Sequence, residues 1–97
     1  MIIEFLEPAQ AELDDTFEYY EIQHKSLGYK FINEIQHAIE LIKFYPLGWH
    51  QISQNTRRCL LKTFPYGIIY RARSNHILIV AIANLHRKPN YWKKRMK

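Results

Sequence analysis

Apolar residues recur along this chain with two different periods, and the change at Gly48 divides it. Before Gly48 they fall at three- and four-residue steps; after it they alternate or run together. Ile2 to Leu6 is a short apolar run that predicts a strand. Glu7-Pro8 predicts a helix start, because the fixed φ of proline suits the first helical position and its missing N–H has no partner to lose there. Ala9, Leu13, Phe17, Tyr20 and His24 then mark one face, with Glu12, Asp14, Asp15 and Glu18 on the others. Carboxylates near a helix N-terminus favour the macrodipole. The period breaks between Lys25 and Gly28. It resumes at Tyr29 or Lys30 with Phe31, Ile35, Ile39 and Ile42, and Pro46 with Gly48 ends it. So short a connection predicts an antiparallel helical hairpin.

Beyond Gly48 three strands are expected, Arg57 to Phe64, Tyr66 to Arg73 and His76 to Ala83. Pro65 lies in the first turn, and Ser74-Asn75 is a two-residue hairpin connection. In the second strand Tyr66, Ile68, Tyr70 and Ala72 share one face, while Gly67, Ile69, Arg71 and Arg73 share the other. The third strand is apolar on both faces, which predicts the central, most buried position. The fold class expected is α+β with two layers: an N-terminal strand, an antiparallel helical hairpin, then a three-stranded antiparallel meander (β-α-α-β-β-β). The hairpin can cover only one face of the sheet, leaving the other partly open and lined with arginine. One domain, 1–97, is expected, stable by about 5–10 kcal/mol.

Charge changes this picture. Met1 to Pro46 holds nine Asp/Glu against three Lys/Arg, a net of −6; Leu47 to Lys97 holds eleven Lys/Arg and no carboxylate, a net of +11. The cations are interleaved with strand-forming runs, so they sit on a folded scaffold and create a strong positive field. A polyanion or an acidic protein segment is the partner this implies. Composition adds limits. A hydrophobic content of 47% excludes a disordered chain, and a single cysteine, Cys59, allows no internal disulfide. No apolar run approaches the ~20 residues of a membrane span. The start, MIIEFLEPAQ, is acidic where a signal peptide would be basic, so a cytoplasmic protein without membrane partners is expected.

Two groups of residues could carry chemistry. Arg58, Arg71 and Arg73 come from adjacent strands and are expected to converge on one face, against which an acidic partner could lay carboxylates. The segment Asn84 to Trp92 gathers a histidine, two cations and two aromatics at the end of a rigid strand. Imidazole transfers protons near neutral pH, Arg87 could hold a phosphate bidentately, and Tyr91 or Trp92 could stack a base. Trp92 is expected to pin the chain end over the core, and His86 to be exposed. The histidines, at 24, 37, 50, 76 and 86, have no i,i+4 spacing, and Cys59 completes no zinc motif, so no metal or cofactor is expected. Cys59, among leucines, reads as a small core residue.

The string from Arg57-Arg58-Cys59-Leu60-Leu61 through Phe64-Pro65-Tyr66-Gly67 to Tyr70, followed by Ala81 to Trp92 with its His86-Arg87-Lys88-Pro89-Asn90-Tyr91-Trp92, resembles the RelE/ParE superfamily of bacterial toxins. The resemblance covers nearly the whole chain and implies the toxin half of a type II toxin–antitoxin module. Its partner would be a cognate acidic antitoxin, which alone would contact operator DNA. RelE-like members cleave messenger RNA in the ribosomal A site; ParE-like members poison DNA gyrase; others have lost toxicity. The F-P-Y and R-x-P-x-Y-W wording is closer to the ParE (plasmid stabilisation) branch. Many ribonuclease members carry an arginine after the tyrosine that opens the penultimate strand, where this chain has Gly67, and lysines along the preceding strand, where it has Arg58 and Leu60. Asn84 stands where many ParE-like members have histidine. The resemblance implies gyrase as the target; the polar C-terminal segment would meet it through His86, Arg87, Lys88, Tyr91 and Arg95, and the unneutralised charge of the basic half places antitoxin contacts at Arg58, Arg71 and Arg73. In the ribonuclease alternative, Arg58, His86, Arg87 and Tyr91 would act on ribosome-bound messenger.

Overall fold

In the computed structural model, which describes residues 1–96, the elements follow the order β1 (Ile2–Phe5), α1 (Glu7–Gln23), α2 (Leu27–Phe44), β2 (His50–Gln51), β3 (Arg57–Leu60), β4 (Tyr66–Arg73), β5 (His76–Asn84) and a 3-10 turn at Lys93–Met96. Leu6, in extended backbone, hands the chain from β1 to α1, and Pro8 sits in the first turn as its chemistry requires. The second helix starts earlier than its apolar stripe suggests, at Leu27 and not at Tyr29 or Lys30. Glu21 explains this. Its carboxylate reaches forward from α1 to accept the N–H groups of Ser26 (3.2 Å) and Gly28 (2.9 Å), donors that the first turn of a helix leaves unpaired. Gly28 is also where the two helices touch: a Cβ there would lie 2.6 Å from the Phe17 carbonyl oxygen. The hairpin then buries Ala9 and Thr16 from α1 and Phe31, Ile35, Ala38 and Ile42 from α2.

These side chains pack on one face of a five-stranded sheet in the order β1-β5-β4-β3-β2. Strand β1 lies parallel to β5, with Ile3 opposite Ile77 and Phe5 opposite Ile79; the other pairs are antiparallel. The α+β architecture expected from the sequence is present, with the β3–β4–β5 meander at its heart, but the sheet is mixed and has five strands. Strand β2, only two residues long, was beyond the reach of any periodicity. Strand β3 ends at Leu60 and not at Phe64, because Glu34 of α2 accepts the N–H groups of Lys62 (2.8 Å) and Thr63 (3.1 Å) and draws the chain off the ladder. The middle strand of the five is β4, whereas β5 is the most buried, with every residue from Ile77 to Ala83 buried.

The register shifts once. Ile69 pairs with Ala81 and Tyr70 with Ile79, so Val80 has no opposite number. This bulge turns Val80 and Ala81 to the same side. Ile77, Ile79 and Ile82 therefore face the helices, while Leu78, Val80, Ala81 and Ala83 join Ile69 on the far face. That far face is not the open, arginine-lined surface expected. The chain after β5 folds back over it, and Trp92, only 4% exposed, caps the apolar patch, with Leu6, Ile52, Tyr91 and Met96 at its margin. Burying an aromatic of this size contributes roughly 3 kcal/mol, which is why a strand apolar on both faces draws its own C-terminal segment over itself.

Candidate functional site

The C-terminal segment starts from a turn that Asn84 builds. Its side-chain oxygen accepts the His86 N–H at 2.9 Å, its carbonyl accepts the Arg87 N–H at 3.1 Å, and the Leu85 N–H donates to Pro65 at 2.9 Å. The turn leaves His86, Arg87, Lys88, Pro89 and Asn90 exposed. Beyond them Asn90 adopts a left-handed φ of 65°, which reverses the chain so that Trp92 enters the core.

What holds the segment down is Glu12. Strand β1 ends opposite Ile79, so from Val80 onward that edge of β5 lacks a strand neighbour. Glu12, reaching from α1, accepts the Ile82 N–H at 3.0 Å, and Arg95 donates to the Val80 carbonyl at 3.0 Å. Arg95 and Glu12 also join bidentately, at 2.9 and 3.0 Å. The pair thus replaces the missing strand, satisfying backbone groups that would otherwise be buried unpaired. Tyr91 donates its hydroxyl to Glu12 at 2.6 Å, and Arg87 stands 3.5 Å from the same carboxylate with its guanidinium 3.7 Å above the Tyr91 ring. Burial, then the hydrogen bond and charge of Glu12, raise the Tyr91 phenol above its ordinary pKa. The Glu12 bond likewise raises that of Arg95.

The five residues expected to meet a target therefore divide. His86, Arg87 and Lys88 face solvent; Tyr91 and Arg95 point inward to Glu12. Arg58, Arg87 and Tyr91 do come together, lining a cleft of about 140 Å³ with Asn84 and Trp92, and His86 lies outside it. Gly67 makes room here: a Cβ would sit 3.1 Å from Arg58 Cγ, so glycine lets the arginine lie across β4. Arg58, Arg71 and Arg73 share a face by register but not a site, since Arg71 and Arg73 line a separate cavity with Arg57. Cys59 is buried beneath the helices, and burial pushes its thiol up to about 11. Glu12 escaped sequence reasoning. Its step of three from Ala9 and four to the buried Thr16 was the available signal, placing it beside the buried face.

Comparison with known proteins agrees with this architecture. No significant match is found among curated protein sequences. A solved structure titled "Chromosomal ParDE TA system from P. aeruginosa" superposes with a TM-score of 0.76 at 18% identity, covering 89% of this chain and 97% of that one, a likeness of fold. The family model described as "ParE toxin of type II toxin-antitoxin system, parDE" matches residues 3–91. By that match over most of its length, the chain belongs to the ParE toxin family of type II toxin–antitoxin systems.

Proposed function

We propose that this protein is a cytoplasmic toxin that inhibits DNA gyrase through its C-terminal segment and is neutralised by a cognate acidic antitoxin. The observation that carries the reading is the Glu12 clamp. Of the groups a ribonuclease would need, Tyr91 donates its hydroxyl hydrogen bond to a carboxylate and Arg87 lies beside the same negative charge. A phenol so held is a poor general base at neutral pH. A cation already paired offers less to a developing phosphorane charge than a free one. The same clamp suits binding. It fixes the backbone on both sides of His86, Arg87 and Lys88, so little entropy is lost when these exposed groups dock on a protein surface.

The ribonuclease reading keeps one observation in its favour, the shared cleft of Arg58, Arg87 and Tyr91. Overexpression in cells separates the two. Gyrase poisoning induces the DNA-damage response and filamentation while translation continues. Early arrest of translation with cut messenger would instead support the ribonuclease. Normal growth would indicate a chain that only binds its antitoxin.

A further inference from the structure

Arg57, Arg71 and Arg73 line a cavity of about 130 Å³ between β2, β3 and the C-terminal end of β4, together with Gln51, Gln54, Asn55 and Leu47. Arg57 reaches this edge of the sheet from the helix side and Arg71 from the other face, and cations gathered around so small a space repel one another unless an anion joins them. None is present: among the described residues, every ion pair lies elsewhere, at Lys43–Glu40, His76–Glu4, and Arg87 and Arg95 with Glu12. No carboxylate side chain follows Glu40 in the sequence. Glu12 pairs with Arg87 and Arg95, and no carboxylate does the same for Arg57, Arg71 or Arg73. Arg57 has a single neutral acceptor, the Trp49 carbonyl at 2.8 Å. The Nε of Arg71 is buried and has no hydrogen-bond partner at all. A buried charged donor left unpaired is a standing cost that an incoming acceptor removes.

The walls are rigid. The turn between β2 and β3 closes on itself through Ile52 N–H to the Thr56 carbonyl (2.9 Å), the Ser53 and Thr56 hydroxyls, and Gln51 to the Gln54 carbonyl (3.1 Å). On the α2 side the rim is apolar and exposed. Leu47 is 68% accessible, and Phe44 and Tyr45 beside it are 76% and 64% accessible. This rim cannot fold away, because the Tyr70 hydroxyl donates to the Pro46 carbonyl at 2.7 Å from beneath. A cationic cavity next to a fixed apolar ledge selects its ligand. A free phosphate or a nucleic-acid backbone would use the arginines and leave the ledge wet. A carboxylate carried on an apolar stretch of polypeptide would use both.

We propose that this cavity is a carboxylate-binding site, receiving an Asp or Glu of the antitoxin while neighbouring apolar side chains of the same segment cover Leu47, Phe44 and Tyr45. The proposal rests on the reading of the chain as an antitoxin-neutralised toxin. It assigns Arg57 to that interface with Arg71 and Arg73, and leaves Arg58 to the other cleft. The two cavities share no lining residue, so the antitoxin is anchored here without touching His86 to Lys88.

The test is the Kd, at 0.1 M salt, between the toxin and the antitoxin encoded in its operon. Arg71→Gln with Arg73→Gln should raise Kd roughly 10–100-fold, as for loss of desolvated charge pairs, and flatten its salt dependence. Arg73→Gln alone, at an exposed position where folding is not at stake, should raise Kd several-fold, and Leu47→Ser should do the same through the ledge. Unchanged Kd in all three overturns the site and leaves the antitoxin reading standing. No complex with the wild-type toxin overturns that reading and this proposal with it. A 20-base-pair duplex that binds wild type and is lost in the double variant, with antitoxin affinity unaffected, would make the cavity a nucleic-acid site and refute the assignment.

Discussion

Replacing Glu12 by alanine strips the acceptor from the Ile82 N–H, the Tyr91 hydroxyl and the Arg95 guanidinium, and frees Arg87. An N–H or O–H buried without an acceptor costs ~1–3 kcal/mol, and breaking a buried ion pair by removing one partner costs ~3–5 kcal/mol. These terms do not add, because one event relieves them together: the 3-10 turn can lift and let water reach Arg95. Arg95 also keeps the Val80 carbonyl, and Glu12 and Arg95 retain 16% and 19% exposure. Arg87 is half exposed, so its share is small. The expected loss is about 3–4 kcal/mol, from a domain stable by about 5–10 kcal/mol. That lowers Tm by roughly 12–30 °C. Glu12→Gln keeps one acceptor oxygen and the shape, and should lose only about 1–2 kcal/mol. Urea unfolding followed by the fluorescence of Trp49 and Trp92 reads both values. A double-mutant cycle with Arg95→Ala should give coupling above about 1 kcal/mol. A Glu12→Ala protein within about 1 kcal/mol of wild type, with no coupling to Arg95, would refute the clamp.

Alkaline pH should loosen the fold at two places: burial pushes the Tyr70 phenol, beneath Pro46, up to about 12 and raises Tyr91, at Glu12, above the usual 10.0. A phenol that holds its proton more tightly when folded contributes stability that is complete below pH 10 and lost as pH rises toward and past 12. The urea midpoint should therefore fall above pH 10, and less steeply in Tyr91→Phe; a flat midpoint in wild type would contradict this. Cys59 should not react with a disulfide reagent at pH 8 until urea unfolds the protein, given its burial and a thiol pushed up to about 11; rapid native labelling would place it at the surface. His86→Ala with Lys88→Ala should stay within about 1 kcal/mol of wild-type stability while abolishing growth inhibition; full toxicity at equal expression would move the site off the segment.

Local sequence carried the elements whose signal is local. Pro8 marked the start of α1, and the change of period at Gly48 separated helices from sheet. The apolar run of β5 foretold a strand buried on both faces. What sequence could not carry were side chains acting across the chain. Glu21 and Glu34 each accept backbone N–H groups from another segment, and so set where α2 begins and where β3 ends. The charge split between the halves looked like an unneutralised surface; folding brings one carboxylate, Glu12, from the acidic half against two arginines of the basic half. Tyr91 and Arg95, polar enough to read as exposed, thereby become the clasp that presents His86 and Lys88. Arg58 and Arg71 share a face by alternation, yet they line different cavities, because the C-terminal segment with Trp92 covers the apolar part of that face.

Gyrase and the ribosome are separated as targets in one in vitro comparison: purified toxin with gyrase and supercoilable plasmid, beside the same toxin with programmed ribosomes. Blocked supercoiling or trapped cleaved plasmid is expected, with loss of that effect in the His86→Ala, Lys88→Ala protein and intact messenger on the ribosomes. Messenger cut in the ribosomal A site with gyrase fully active would contradict that expectation, and would return the chemistry to the cleft of Arg58, Arg87 and Tyr91.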